Sequence, residues 1–93
     1  MNTEKWGTVM SESKVGEVFK FFAKPMVAAI RITGGSLTVG DRLHFAGFTT
    51  DFETTVESMQ EEHAVIESAG RGQTVGIKVP ERCRPGDEVY KVD

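Results

Sequence analysis

The stretch TVESMQEEH, Thr55 to His63, gathers Glu57, Glu61, Glu62 and His63 within seven residues and ends on two carboxylates followed by an imidazole. Such a run offers ligands to a divalent metal or a relay for protons. A zinc or transition-metal centre needs several His, Cys or carboxylate ligands converging on one point, and the helical form of that site, H-E-x-x-H, needs two histidines one turn apart. Only His63 is present here. The other histidine, His44, alternates with Arg42 on the outward side of a predicted strand, and Cys83 is the single cysteine. The stretch therefore reads as a polar strand end and an exposed turn, with no metal and no other cofactor expected.

Cys83 lies in ERCRPG, between Arg82 and Arg84. Neighbouring guanidinium groups lower a thiol pKa, so a reactive thiolate is one reading and a small residue in a strand-to-turn connection is the commoner one. Neither TGGS nor AGRGQ is followed by the lysine and hydroxyl of a phosphate-binding loop, so no GTP or ATP binding is expected. Six phenylalanines are spread along the chain, and in a domain this small most must be core. Phe48, in the turn AGFTTDF, is the one most suited to an exposed contact such as base stacking.

The chain has 93 residues, 39% apolar and 27% charged, with a formal charge of -3. Its length suits one domain with one core. The acidic balance disfavours binding to nucleic acid through phosphates alone. Arg71, Lys78, Arg82 and Arg84 nevertheless fall in one short C-terminal region. With Phe48 they form the candidate contact surface for RNA or for a protein partner. The longest apolar run, Met26 to Ile30, is far short of the roughly 20 residues of a membrane span, and the N-terminus lacks the pattern of a secretion signal. A lone cysteine fits a reducing, cytoplasmic setting.

These residues must be carried by short strands. Val15 to Phe22, Met26 to Ile32, Asp41 to Phe45, Asp51 to Met59, Gln73 to Val79 and Asp87 to Val92 are rich in β-branched and aromatic residues and are separated by glycine-bearing turns. Adjacent apolar pairs, Val18/Phe19 and Phe21/Phe22, break the alternation of the first strand and predict a bulge. Gly-Asp precedes a strand at Gly40-Asp41 and Gly86-Asp87, and Gly72-Gln73 echoes the pattern, as expected of turns that need a positive φ. A short helical turn is conceivable only in EEHAVIESAG. The expected fold class is all-β, a small closed or nearly closed six-stranded antiparallel β-barrel over residues 14 to 93, preceded by an N-terminal extension, residues 1 to 13, carrying Trp6. Closure would remove exposed edges.

The order of these motifs resembles the second domain of translational GTPases, the small β-barrel of EF-Tu and of elongation factor 1-alpha. The likeness rests on Gly-x-Val at Gly16 to Val18, LTVGD at Leu37 to Asp41, TVESMQEEH, the glycine-bearing run from Ala69 through Gly72, Val75 and Gly76, and the terminal PGDEVYKV. It implies a translation elongation factor-like barrel without its GTPase domain, non-catalytic, with tRNA, ribosomal RNA or a separate protein as partner and no membrane. The family's domain helps hold the acceptor end of an aminoacyl-tRNA, but no family binding residue carries over to this chain, whose second strand reads MVAAIRI. A second expectation is an accessory protein-interaction module similar to the barrel appended to U32-type peptidases, which the acidic charge favours over RNA. A small enzyme using Cys83 or the Glu57 to His63 cluster is the third.

Overall fold

A computed structural model describes residues 12–92, and these fold as an all-β, antiparallel protein. The strands are β1 (Glu12–Phe22), β2 (Val27–Ile32), β3 (Ser36–Thr38), β4 (Arg42–Ala46), β5 (Asp51–Thr55), β6 (Met59–Glu61), β7 (Ala64–Ile66), β8 (Ser68–Gly70), β9 (Thr74–Lys78) and β10 (Glu88–Val92). Eight of them form one sheet in the order β5-β4-β10-β1-β2-β9-β6-β7, and β3 pairs with β8 apart from it. No helix among the described residues is long and apolar enough to cross a membrane. Apart from Glu12 and Ser13, which already belong to β1, the expected extension with Trp6 lies outside the described residues.

Alternation explains the core. Ala28, Ile30 and Ile32 of β2, Leu43 and Phe45 of β4, and Val75 and Ile77 of β9 are buried together with Val79, because every second side chain of a strand shares one face. Register completes the packing: Phe45 lies opposite both Val89 and Phe52, and the two phenylalanine rings stack at 4.8 Å. The bulge expected in the first strand is present, since Val18 pairs with Ile30 while Lys20 pairs with Ala29, leaving Phe19 as the extra residue.

Three turns share one design, and it is the design their sequences hint at. Thr38 to Asp41, Gly70 to Gln73 and Arg84 to Asp87 each have glycine third, at φ of 101°, 94° and 95°. In each, the side chain of the fourth residue accepts a hydrogen bond from the first residue's amide: Asp41 from Thr38 at 2.8 Å, Gln73 from Gly70 at 2.7 Å, and Asp87 from Arg84 at 2.8 Å. The glycine amide then donates to the carbonyl of a buried residue, Val56, Ile32 or Val18. The amide of that same residue donates to the carbonyl of Asp41, Gln73 or Asp87. Just before each turn a buried side chain, Leu37, Ala69 or Cys83, plugs the core. A strand leaves each turn at once: β4, β9 or β10.

Three expectations need correction. The sheet is not closed into a barrel: β5 and β7 are its two ends, and the chain beyond β5 leaves the ladder because Val56 is taken up by the Gly40 turn. Ten strands replace six, because β3, β6, β7 and β8 have three residues each and give too little alternation to read. EEHAVIESAG is not helical: Glu62 and His63 take φ of 49° and 70°, the two positive angles of a tight hairpin turn between β6 and β7.

Candidate functional site

The hairpin turn gives the glutamate and histidine run its local geometry. Glu61 at the end of β6 accepts two hydrogen bonds from Gln73 Nε2, at 3.0 and 3.1 Å, and so helps fix the second of the three turns. Glu62 and His63 are exposed at the hairpin corner. Their local geometry is that of a strand end and a corner.

Cys83 is buried, and its thiol pKa is pushed up to about 11, first by burial and then by the negative charge of Asp87. The two arginines that flank it in sequence do not counter this. Arg82 lies over the Phe21 ring at 5.7 Å, and Arg84 Nε donates to Thr49 Oγ1 at 3.1 Å. Alternate residues on an extended segment point to opposite sides, so sequence neighbours on both flanks of Cys83 leave its buried side. Protonated at neutral pH, the thiol serves as core filling equivalent to Leu37 and Ala69.

Among the described residues, Phe48 is the most exposed large apolar one, at 102% of its reference area. It sits at the tip of the β4–β5 hairpin, where Gly47 and Thr50 exchange backbone hydrogen bonds of 2.8 and 3.4 Å. Residues 46–48 and the turn 84–88 line one shallow depression. Arg84 joins the two pieces, its Nε donating to Thr49 Oγ1, while the buried Asp87 carboxylate accepts from the Arg84 amide and lies where a Cβ at Gly47 would collide with it. Phe48 and Arg84 thus line one site.

The remaining sequence candidates are dispersed. Arg71 occupies the second position of the Gly70 turn, before β9, whereas Lys78 ends that strand, about 13 Å beyond its first residue Thr74 at 3.3 Å per residue. Lys78 lines a different depression, with Thr54, Thr55, Glu57, Ser58, Val79 and Pro80. Arg82 goes to Phe21. Sequence reasoning also missed Phe19 and Phe22, which are exposed at 53% and 43%. The doubled apolar pairs that predicted the bulge were the signal, because in each pair one residue must face outward.

The outer surface of β5, β4, β10 and the start of β1 is a ladder of paired charges. Arg42 meets Glu53 at 3.1 Å, and Lys14 meets Glu17 at 3.2 Å and Glu88 at 3.4 Å. His44 lies between Asp51 at 2.7 Å and Glu12 at 2.9 Å, and those two hydrogen bonds, Asp51 first, raise its pKa above the ordinary value. The Tyr90 hydroxyl donates to Glu88 at 2.6 Å, which lowers the carboxyl pKa of Glu88, with Lys14 as the second cause.

The comparisons with known proteins bear on this arrangement. No family model matches the chain. Two collagenase sequences of Porphyromonas gingivalis are each 34% identical to it over 94 residues, taking in 98% of this chain but only 26% and 23% of theirs. A protein named as a protease from Methanocaldococcus jannaschii is 38% identical over 78 residues, 83% of this chain and 19% of its own. The chain thus spans about a quarter or less of the curated relatives it matches. Among solved structures, the C-terminal domain of a Geobacillus thermoleovorans protein assigned to the U32 peptidases superposes with a TM-score of 0.80 at 21% identity, covering 85% of this chain and 99% of that one. A second crystal structure of the same domain gives 0.79. The chain has the fold of a U32 peptidase C-terminal domain.

That overturns the resemblance to EF-Tu and elongation factor 1-alpha, and with it the translation-factor reading. The reason is visible in the three turns. LTVGD, the run from Ala69 to Gly76, and PGDEVYKV are the residues of one repeated turn-to-strand device. They match on local geometry, which any small β-domain using that turn would share.

Proposed function

We propose that this chain is a non-catalytic accessory module for a U32-type peptidase and that it meets its protein partner through the Phe48 and Arg84 tip. The observation that carries the reading is the pattern of coverage: identity of 34% runs across 98% of this chain while taking up only 26% of a collagenase. A unit that accounts for a quarter of a longer enzyme, and whose one thiol is buried and protonated, has the character of an appended module. The exposed ring of Phe48 beside Arg84, on turns braced by Asp87, supplies the aromatic and arginine pair typical of strong protein contacts.

Affinity purification of the tagged chain from native lysate, with mass spectrometry and nucleic-acid staining of the eluate, tests this. Recovery of a U32-type enzyme free of RNA, and its loss with Phe48→Ala, is expected. RNA in the eluate without an enzyme would overturn the reading. So would gelatin cleavage by the isolated chain that Cys83→Ser abolishes.

A further inference from the structure

Antiparallel register places side chains from several strands in rows on one face. On the outer side of the sheet, one row runs Lys20, Ala29, Gly76, Gln60 and Val65, from β1 through β2, β9 and β6 to the end strand β7. The row on one side is Phe22, Val27 and Lys78, and on the other it is Glu17, Arg31 and Thr74. The central row is floored by the two smallest side chains available, so the face carries a shallow trough crossing the strands. A Cβ on Gly76 would already press on Val27 at 3.3 Å. Phe19, Phe22 and Val65 border the trough and are 53%, 43% and 73% exposed.

The charge on this face is different in kind from the paired ladder on the other half of the sheet. There, Lys14, Arg42 and His44 are each matched to a carboxylate. Here, among the described residues, Lys20 and Arg31 have no such match. Lys20 lies over the Phe22 ring at 5.3 Å and Arg31 over the Phe19 ring at 4.8 Å. A cation resting on a ring keeps most of its charge available to an anion. The one carboxylate in these rows, Glu17, is already held by Lys14, and Glu57 lies beyond Lys78 in the neighbouring depression.

We propose that the outer face of β1, β2 and β9 is a docking surface for an acidic polypeptide segment bearing apolar side chains, with carboxylates on Lys20, Arg31 and Lys78 and an apolar side chain in the trough over Ala29 and Gly76. Charge complementarity selects the acidic partner, since among the described residues Lys20 and Arg31 supply positive charge with no matching carboxylate, within a chain of net charge -3. The face offers three cations, few for nucleic acid, whose affinity depends on many phosphate contacts, and its low centre over Ala29 and Gly76 suits an aliphatic side chain. The face is distinct from the Phe48 tip and would serve an acidic partner whether or not that partner is a peptidase.

The test is an NMR titration of the isotopically labelled chain with three probes: a short peptide alternating glutamate and leucine, its lysine and leucine counterpart, and a short oligouridylate. Saturable shifts at residues 19, 20, 22, 29, 31, 76 and 78 with the glutamate peptide alone are expected. Lys20→Glu combined with Arg31→Glu should weaken that binding about tenfold or more, while Phe48→Ala leaves it unchanged. Both charge reversals are at exposed positions, and the mapping on the unaltered chain stands independently of how the variant folds. Shifts that do not saturate, that fall elsewhere, or that are stronger with oligouridylate would overturn the proposal.

Discussion

A double-mutant cycle at Gly47 and Asp87 interrogates the close approach of the two turns beside Phe48. Gly47 does not have a positive φ, so alanine there meets no backbone objection; what it meets is the Asp87 carboxylate, which its Cβ would overlap. To admit the methyl group, Asp87 must give up the 2.8 Å bond it accepts from the Arg84 amide. Hydrogen bonds to a charged group contribute about 1.5 to 3 kcal/mol, so Gly47→Ala should destabilise by about 2 kcal/mol. Asp87→Ala should cost a similar amount by removing the acceptor directly. The two losses should not add, because once the carboxylate is gone the alanine at 47 has nothing to displace. Urea unfolding followed by circular dichroism reads this. With a denaturant slope of about 1 to 3 kcal/mol/M, each single substitution lowers the midpoint by about 1 M and the double substitution by little more. Midpoints that fall additively would refute the reasoning, since that would mean the collision and the hydrogen bond are separate matters.

Replacing Glu62-His63 by Asn-Gly should raise stability by about 1 kcal/mol, because Asn and Gly accept positive φ at lower cost than the native pair, and a fall in the urea midpoint would contradict the hairpin reading. His44 gains its raised pKa from Asp51 and Glu12, so the imidazolium stabilises the folded chain below the unfolded-state pKa and that contribution disappears as pH rises through the higher folded value. Unfolding midpoints of the native chain and of His44→Gln, measured across that interval, should therefore converge as pH rises; midpoints that diverge would reverse the assignment. Cys83, with its thiol pKa pushed up to about 11 and its side chain buried, should react with a disulfide reagent at pH 8 only on unfolding. Prompt native-state labelling would show an accessible thiolate instead.

What could be read from the sequence was whatever leaves a trace in local pattern. β2, β4 and β9 alternate over five or more residues, and their inward rows fell where the pattern put them. The three turns announced themselves through glycine followed by Asp or Gln, because a positive φ and a side-chain acceptor are requirements of composition. β3, β6, β7 and β8 were invisible for the converse reason: three residues can show at most one full alternation. At the candidate site, the exposure of Phe48 followed from its turn, but its union with Arg84 depended on Asp87 reaching beneath Gly47 from 40 positions away. No periodicity encodes such a contact.

The same distinction explains why the mistaken kinship was persuasive. Turn residues are selected by backbone geometry, and three copies of one turn within a single chain show that the geometry can recur without any shared partner or activity. What separates this chain from other small β-domains lies on faces that register assembles from distant strands: cations matched to carboxylates on one half of the sheet, cations resting on phenylalanine rings on the other. Lys20 and Ala29 are neighbours only because the bulge at Phe19 shifts the pairing of β1 by one residue. Without that extra residue, Phe19 would stand opposite Ala29 and Lys20 opposite Ala28, taking the lysine off the outer face. The chemistry of the surface therefore follows from one irregularity in the ladder.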